Sequence, residues 1–407
     1  MSLNWKKTSL ALIALAVGLP LAVFIGLYAY VAATMTPLHP DPASVPSVTQ
    51  WSPSPKWAGA VEQGRQLARA SLVEQNLPGL SVAVGAGGDL VWAEGFGWAD
   101  LEKRVPVGPG MRFRTGGASM ALTSAAVGLL LEKERLHLDA EIQTYVSSFP
   151  EKQWPVTLGQ LMGHVAGVRA DGGDEEPLFS ERCERTSDGL RPFAERPLLF
   201  EPGTRYKYST YGWILVSAAV EAAAKEPFFS FMRTQIFKPL GMADTTPDST
   251  TEPIPDRVTF YYPRFSADTR YGPEPAREGN YSCFAGAGAF LSTPSDLVRF
   301  GMAITSGTLL QPATVKRLQT AQRLSSGEED GYGLGWDLET VSIAGEPARQ
   351  VGHDGEFFIG GSTSFITFPE RGIVVAVTSN ISFADMSSVA VKIAQAFAAQ
   401  ANSPPRK

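Results

Sequence analysis

The chain has 407 residues, a formal net charge of −6, 44% hydrophobic residues and 19% charged ones. That length exceeds what a single hydrophobic core usually supports, so one large two-lobed unit or two domains is expected, and the composition excludes wholesale disorder. The acidic balance and the lack of a dense Lys/Arg tract argue against a nucleic-acid partner.

The first predicted element is a membrane-crossing helix, set at residues 9–35. From Leu10 to Ala33 no residue is charged, and at helical rise this run spans a hydrocarbon layer of roughly 30 Å. Lys6 and Lys7 precede it and no Lys or Arg follows before Lys56. Residues 1–8 are therefore expected in the cytoplasm and the body on the outer, extracytoplasmic side. The run is too long for the apolar region of a cleaved signal peptide, so a retained anchor is expected. Residues 36–56 are rich in Pro and Ser and read as an extended linker lifting the body off the membrane.

The folded body is set at residues 57–402, with 403–407 as a tail. Apolar residues at helical spacing predict a helix over 57–76. The runs Leu80–Val84 and Leu90–Phe96, flanking Ala86-Gly87-Gly88-Asp89, predict a β-hairpin. A buried-face helix follows over 119–133. The middle of the chain, about 140 to 330, mixes helical stretches such as 211–224 with long polar loops, and an acidic stretch from Ala170 reads as a solvated surface insertion. Strands at 364–368 and 373–378, divided by a Pro369-Glu370-Arg371-Gly372 turn, lead to a final helix over 384–399. Strands at both ends with helices between predict an α+β fold, in which one antiparallel sheet built from both ends of the body is flanked by helices and carries a mostly helical inserted lobe. Cys183 and Cys283 both lie on the side where oxidation is permitted. They form one disulfide or remain two thiols, a choice that Cα separation decides.

Six segments in order carry a family resemblance: PGLSVAVGAGGDLVWAEGFGWADLEKRVPV, MRFRTGGASMALTSAAVGLLLEKERLHLD, LGQLMGHVAGV, FEPGTRYKYSTYGW, GAGAFLSTPSDLVRFG and VGHDGEFFIGGSTSFITFPERGIVVAVTSN. With them the chain resembles the serine β-lactamase-related, penicillin-binding-type hydrolases. That family takes in class C-type lactamases, DD-peptidases, esterases of the same fold and the mitochondrial serine β-lactamase-like protein. The resemblance implies a β-lactamase/transpeptidase-like fold, acyl-transfer chemistry on amides, esters or peptides, and a cleft for a small molecule or peptide.

The first family motif is Ser-x-x-Lys, because an i, i+3 pair at a helix start puts nucleophile and base on one face beside the helix dipole. Counting from Phe113-Arg114 places Gly117 at the nucleophile position and Met120 at the base position. Glycine has no atom to attack a carbonyl and methionine has no basic nitrogen. Losing either group in comparable hydrolases costs roughly 10⁴ to 10⁶ in turnover. Ser119 offers an alternative nucleophile, but its i+3 partner is Leu122, and it reads as a helix-start hydroxyl.

The second motif, Tyr-x-Asn, is filled by Tyr208-Ser209-Thr210, with Tyr208 as the implied proton carrier and Thr210 as a substrate contact weakened by loss of the amide. The third, His-x-Gly, is filled by His353-Asp354-Gly355 and implies that His353 and Gly355 border the substrate pocket. His164, in LMGHVAGV, is implied to be architectural. No metal and no cofactor are expected, since Cys-x-x-Cys and His-Glu-x-x-His spacings are missing from the sequence. Three roles stay open: a catalytically disabled hydrolase, by nature or by replacement, that keeps a binding cleft; a structural or partner-binding module; and a residual hydrolase using Ser119.

Overall fold

The computed structural model describes residues 5–50, 52–169, 176–248, 253–356 and 360–401, with backbone alone at 5–15 and 176–177. The core of the fold is an eight-stranded antiparallel sheet. Its path runs β1 (Ser47–Thr49), β3 (Asp89–Asp100), β2 (Gly79–Ala86), β7 (Ile373–Ser379), β6 (Ser362–Phe368), β5 (Glu346–Glu356) and β4 (Asp337–Ile343), with Val105–Pro106 paired onto β3. The predicted hairpin is present: Ala86 pairs with Asp89 across Gly87-Gly88, whose φ of 65° and 92° glycine alone adopts without penalty. The two ends of the body meet where β2 pairs with β7, from Ile373↔Ala86 to Ser379↔Leu80.

Side-chain alternation divides the interior. On β2, Leu80, Val82 and Val84 face one core and Ala83 the other; on β7, Val375 and Val377 oppose Val374 and Ala376. Every residue of both strands is buried, which explains why they read as nearly continuous apolar runs. One face is covered by the helices Ala58–Glu74 and Met386–Ala401, the other by Pro294–Ser306 and the helical lobe containing Ser119–Glu132 and Thr210–Ala224.

The N-terminal helix runs Trp5–Ala33, starting four residues earlier than expected. Its Ala16–Ala33 segment is long and apolar enough to cross a membrane and is almost entirely outside the protein interior.

The linker expectation needs correction. Within 36–56, the Leu38 amide donates to Asn76 Oδ1, the buried His39 ring lies 3.1 Å and 3.2 Å from the Leu77 and Pro78 carbonyl oxygens, and Ser47–Thr49 joins the sheet edge against Glu94–Phe96. The stretch is laid along the body, because edge-strand pairing uses backbone groups that a Pro/Ser-rich composition does not advertise. Cys183 and Cys283 form a disulfide, with Cα atoms 5.0 Å apart. Part of the acidic stretch, residues 170–175, lies outside the described residues; beyond it the chain forms a short helix at Glu176–Ser180 and a 3₁₀ turn at Thr186–Leu190.

Candidate active site

The helix Ser119–Glu132 begins from a buried 3₁₀ turn, Gly116–Ala118, wedged against the end of β5. The approach is so close that a Cβ on Gly355 would lie 1.8 Å from the Thr115 carbonyl oxygen. Gly355 therefore admits no side chain without moving the strand away from the helix start. Thr363 Oγ1 on the neighbouring strand donates to the Arg114 carbonyl at 2.9 Å, and the Thr115 amide donates to Phe290 O at 3.0 Å. Just upstream, Arg114 Nε meets Asp248 Oδ2 at 2.7 Å, both side chains almost wholly buried, and the guanidinium lies between the rings of Phe260 and Tyr281. These contacts fix the turn that presents residue 117.

The structure brings Gly117, Met120, Tyr208 and His353 together. A Cβ at Gly117 would stand 2.7 Å from Tyr208 Oη, 2.9 Å from the Asp354 carbonyl oxygen and 3.0 Å from His353 Cε1. Such separations are below ordinary carbon contacts, so a side chain at 117 requires the Tyr208 hydroxyl and the Asp354 carbonyl to give way by a few tenths of an ångström. Met120 is fully buried and accepts a hydrogen bond on sulfur from the Tyr208 hydroxyl at 3.4 Å. Tyr208 keeps 37% of its surface, yet its hydroxyl end points inward onto that buried methionine. Burial, reinforced by the Asp337 carboxylate, pushes the Tyr208 phenol well above its ordinary range, so it holds its proton.

His353 sits on β5, where it pairs with Phe365. Its Nδ1 lies 2.6 Å from the Asp354 carbonyl oxygen and its Nε2 lies 2.8 Å from Tyr332 Oη. A carbonyl only accepts, so Nδ1 carries the proton; in the neutral ring Nε2 then accepts from Tyr332. Burial raises the Tyr332 phenol far enough to keep it a donor. Tyr332 and Asp337 come from the Gly331–Asp337 segment, whose Leu334 carbonyl accepts from Ser124 Oγ on the back of the Ser119–Glu132 helix. Neither was expected at the site, nor was Tyr206, whose ring lies 5.9 Å from that of Tyr332. The available signal was the alternation of glycine with large apolar residues in Gly331-Tyr332-Gly333-Leu334-Gly335-Trp336, which marks tight backbone approach.

His164 lies behind this layer, 4.4 Å from the Tyr208 ring and 4.7 Å from that of Tyr332. Its Nδ1 accepts from the Ser209 amide at 3.0 Å, which joins its loop to the N-cap of the Thr210–Ala224 helix. Burial, with the neighbouring His353 adding to it, holds the ring well below the usual histidine range. Thr210 opens that helix and is half-buried. Ser119 is fully buried, and its hydroxyl is 2.7 Å from Thr115 Oγ1. Thr115 itself donates to Phe290 O, so Ser119 is the donor of that pair and its hydroxyl is committed to Thr115.

Comparison with known proteins fits this frame. The chain is 27% identical to the human mitochondrial serine beta-lactamase-like protein LACTB, the match covering 88% of this chain and 84% of the relative. It is 27% identical to penicillin-binding protein 4* of Bacillus subtilis, over 74% and 67% of the two chains. Among solved structures, a penicillin-binding protein homologue from Pyrococcus abyssi superposes with a TM-score of 0.68 at 21% identity, covering 81% of this chain and 76% of that one. The D-amino acid amidase of Ochrobactrum anthropi superposes at 0.69 and 20% identity, over 84% and 99%. Residues 59–400 match the Beta-lactamase family model, and the chain belongs to the β-lactamase family.

Proposed function

We propose that this protein is a membrane-anchored β-lactamase-family serine hydrolase by descent that no longer acylates, and that it keeps the cleft around Tyr208, Thr210, His353 and Gly355 for a small-molecule or peptide ligand. The observation that carries this reading is the pair Gly117 and Met120 at the start of the site helix, with the Tyr208 hydroxyl bonded to the methionine sulfur. In the family's chemistry a serine attacks the carbonyl and a lysine with the tyrosine moves its proton. Here the first position offers no oxygen, the second no charge, and burial holds the tyrosine protonated. Ser119 does not replace the nucleophile, since its hydroxyl is buried and spent on Thr115.

Anchoring is proposed through residues 9–35 with the body outside the cytoplasm. It is supported by the uncharged run, the lysines before it and the helix observed there.

Restoring Gly117→Ser with Met120→Lys tests the catalytic half of the proposal. A fluorescent penicillin or an activated phosphonate should label the double variant and leave the parent unlabelled. Labelling of neither would remove the disabled-hydrolase reading in favour of a binding or structural module.

A further inference from the structure

The hairpin Tyr261–Pro275 pairs Tyr261 with Pro275, Tyr262 with Glu274 and Pro263 with Pro273, and its tip reaches the N-terminal helix. There the Phe265 ring lies 5.7 Å from Phe24 and 6.1 Å from Tyr28, and Tyr271 lies 5.9 Å from Tyr28. Arg264 donates to Thr34 Oγ1 at 3.3 Å and to the Val31 carbonyl at 3.5 Å, at the last turn of the same helix. The chain leaves that helix after Ala33 and is held to the body again at Leu38. That short interval leaves little freedom to lift the body.

These positions have a depth. A hydrocarbon core of roughly 30 Å takes about 20 helical residues, so when the count starts at Lys7 the part of the 9–35 segment beyond about Tyr28 rises into the headgroup region. Phe24 is one turn, about 5–6 Å, deeper. Phe265 touches both rings, so it stands at the boundary or just below it, where aromatic side chains are favoured. On that count Arg264, bonded to Val31 and Thr34, falls at about the level of lipid phosphates.

We propose that the tip of this hairpin, residues 264–272, is a second membrane contact, dipping Phe265 and Tyr271 into the headgroup and acyl boundary and seating the body directly on the bilayer. The inference rests on the anchoring proposed above, and the occupant it commits to is lipid.

The test uses the full chain in phosphatidylcholine–phosphatidylglycerol vesicles, with one added cysteine at a time carrying the NBD fluorophore: Ala267→Cys at the exposed tip, Val23→Cys in the helix and Ser326→Cys on an exposed loop. The native cysteines are tied in their disulfide and do not compete for label without reductant. Blue-shifted emission at 267 and 23, quenched by spin-labelled lipid, with water-like emission at 326, is the expected result. Adding Phe265→Glu to Ala267→Cys should return the 267 emission to the water-like value. Water-like emission at 267 with lipid-like emission at 23 overturns the second contact alone. Water-like emission at 23 overturns the anchoring and the second contact with it.

Discussion

Gly117→Ala discriminates between an open nucleophile position and a filled one. At an unstrained glycine, alanine stabilises a protein by about 0.4–1 kcal/mol by narrowing the unfolded ensemble, and Gly117 is not among the positive-φ positions. Against that stands the new Cβ, 2.7 Å from Tyr208 Oη, 2.9 Å from a backbone oxygen and 3.0 Å from His353 Cε1. Overpacking of this kind costs about 1–3 kcal/mol, and the Asp354 carbonyl cannot rotate aside as a side chain can. The crowding term wins, so a net loss of about 1–2 kcal/mol is expected, a fall of about 1–3 °C in thermal midpoint for a body of this size. Removing the nearest contact with Tyr208→Phe should make the two changes non-additive, with the penalty of Gly117→Ala reduced by about 1 kcal/mol in the phenylalanine background. Thermal unfolding of the four full-length proteins in detergent gives the cycle. A rise in midpoint for Gly117→Ala, or strict additivity with Tyr208→Phe, would refute the filled position.

Other consequences follow from the same contacts. Met120→Lys places a cation beside the Tyr208 hydroxyl and should lower that phenol by about 1–3 pH units, read by UV-difference titration with Tyr208→Phe identifying the signal; no shift would mean the hydroxyl lies elsewhere. Burial depresses both His164 and His39, so above the unfolded value near 6.5 both are neutral in either state and their contribution to stability is fully present. As pH falls below that value the unfolded chain takes up protons that the folded rings refuse, and stability drops by up to about 1.4 kcal/mol per pH unit for each ring. Denaturant midpoints that are flat between about pH 5 and 7 would contradict this linkage. Replacing both Cys183 and Cys283 by alanine, which opens a link of sequence separation 100, should cost about 4–5 kcal/mol on loop entropy, checked by unfolding with and without reductant. Arg114→Met leaves buried Asp248 with only Arg257, 3.4 Å away, as counter-charge and should cost about 3 kcal/mol, the low end for breaking a buried pair, so the yield of folded protein should fall.

The parts of the fold that were legible are those whose signal is local. The Gly87-Gly88 turn, the β-prone runs beside it and the helical spacing around Leu122 and Leu130 each carry their structure within a few residues. Gly117, Met120, Tyr208 and His353 were legible for a different reason: each sits in a motif that a family resemblance identifies. What stayed hidden depends on distant partners. Ser47–Thr49 reads as linker because its side chains are exposed and only its backbone joins the sheet. The glycine alternation around Tyr332 names no partner, and only folding brings that segment against Ser124 and His353. The hairpin tip at Phe265 reads as polar loop, since the helix it touches lies more than two hundred residues earlier in the chain.

The central claim is that the cleft of the parent chain cannot form an acyl-enzyme. Intact-mass spectrometry of the unmodified full-length protein after prolonged exposure to excess penicillin, and separately to an activated phosphonate, tests it most directly. The unshifted mass of the parent, beside a stoichiometric adduct on the Gly117→Ser, Met120→Lys protein, is the predicted result. An adduct on the parent that maps to Ser119 and disappears in Ser119→Ala would contradict the account.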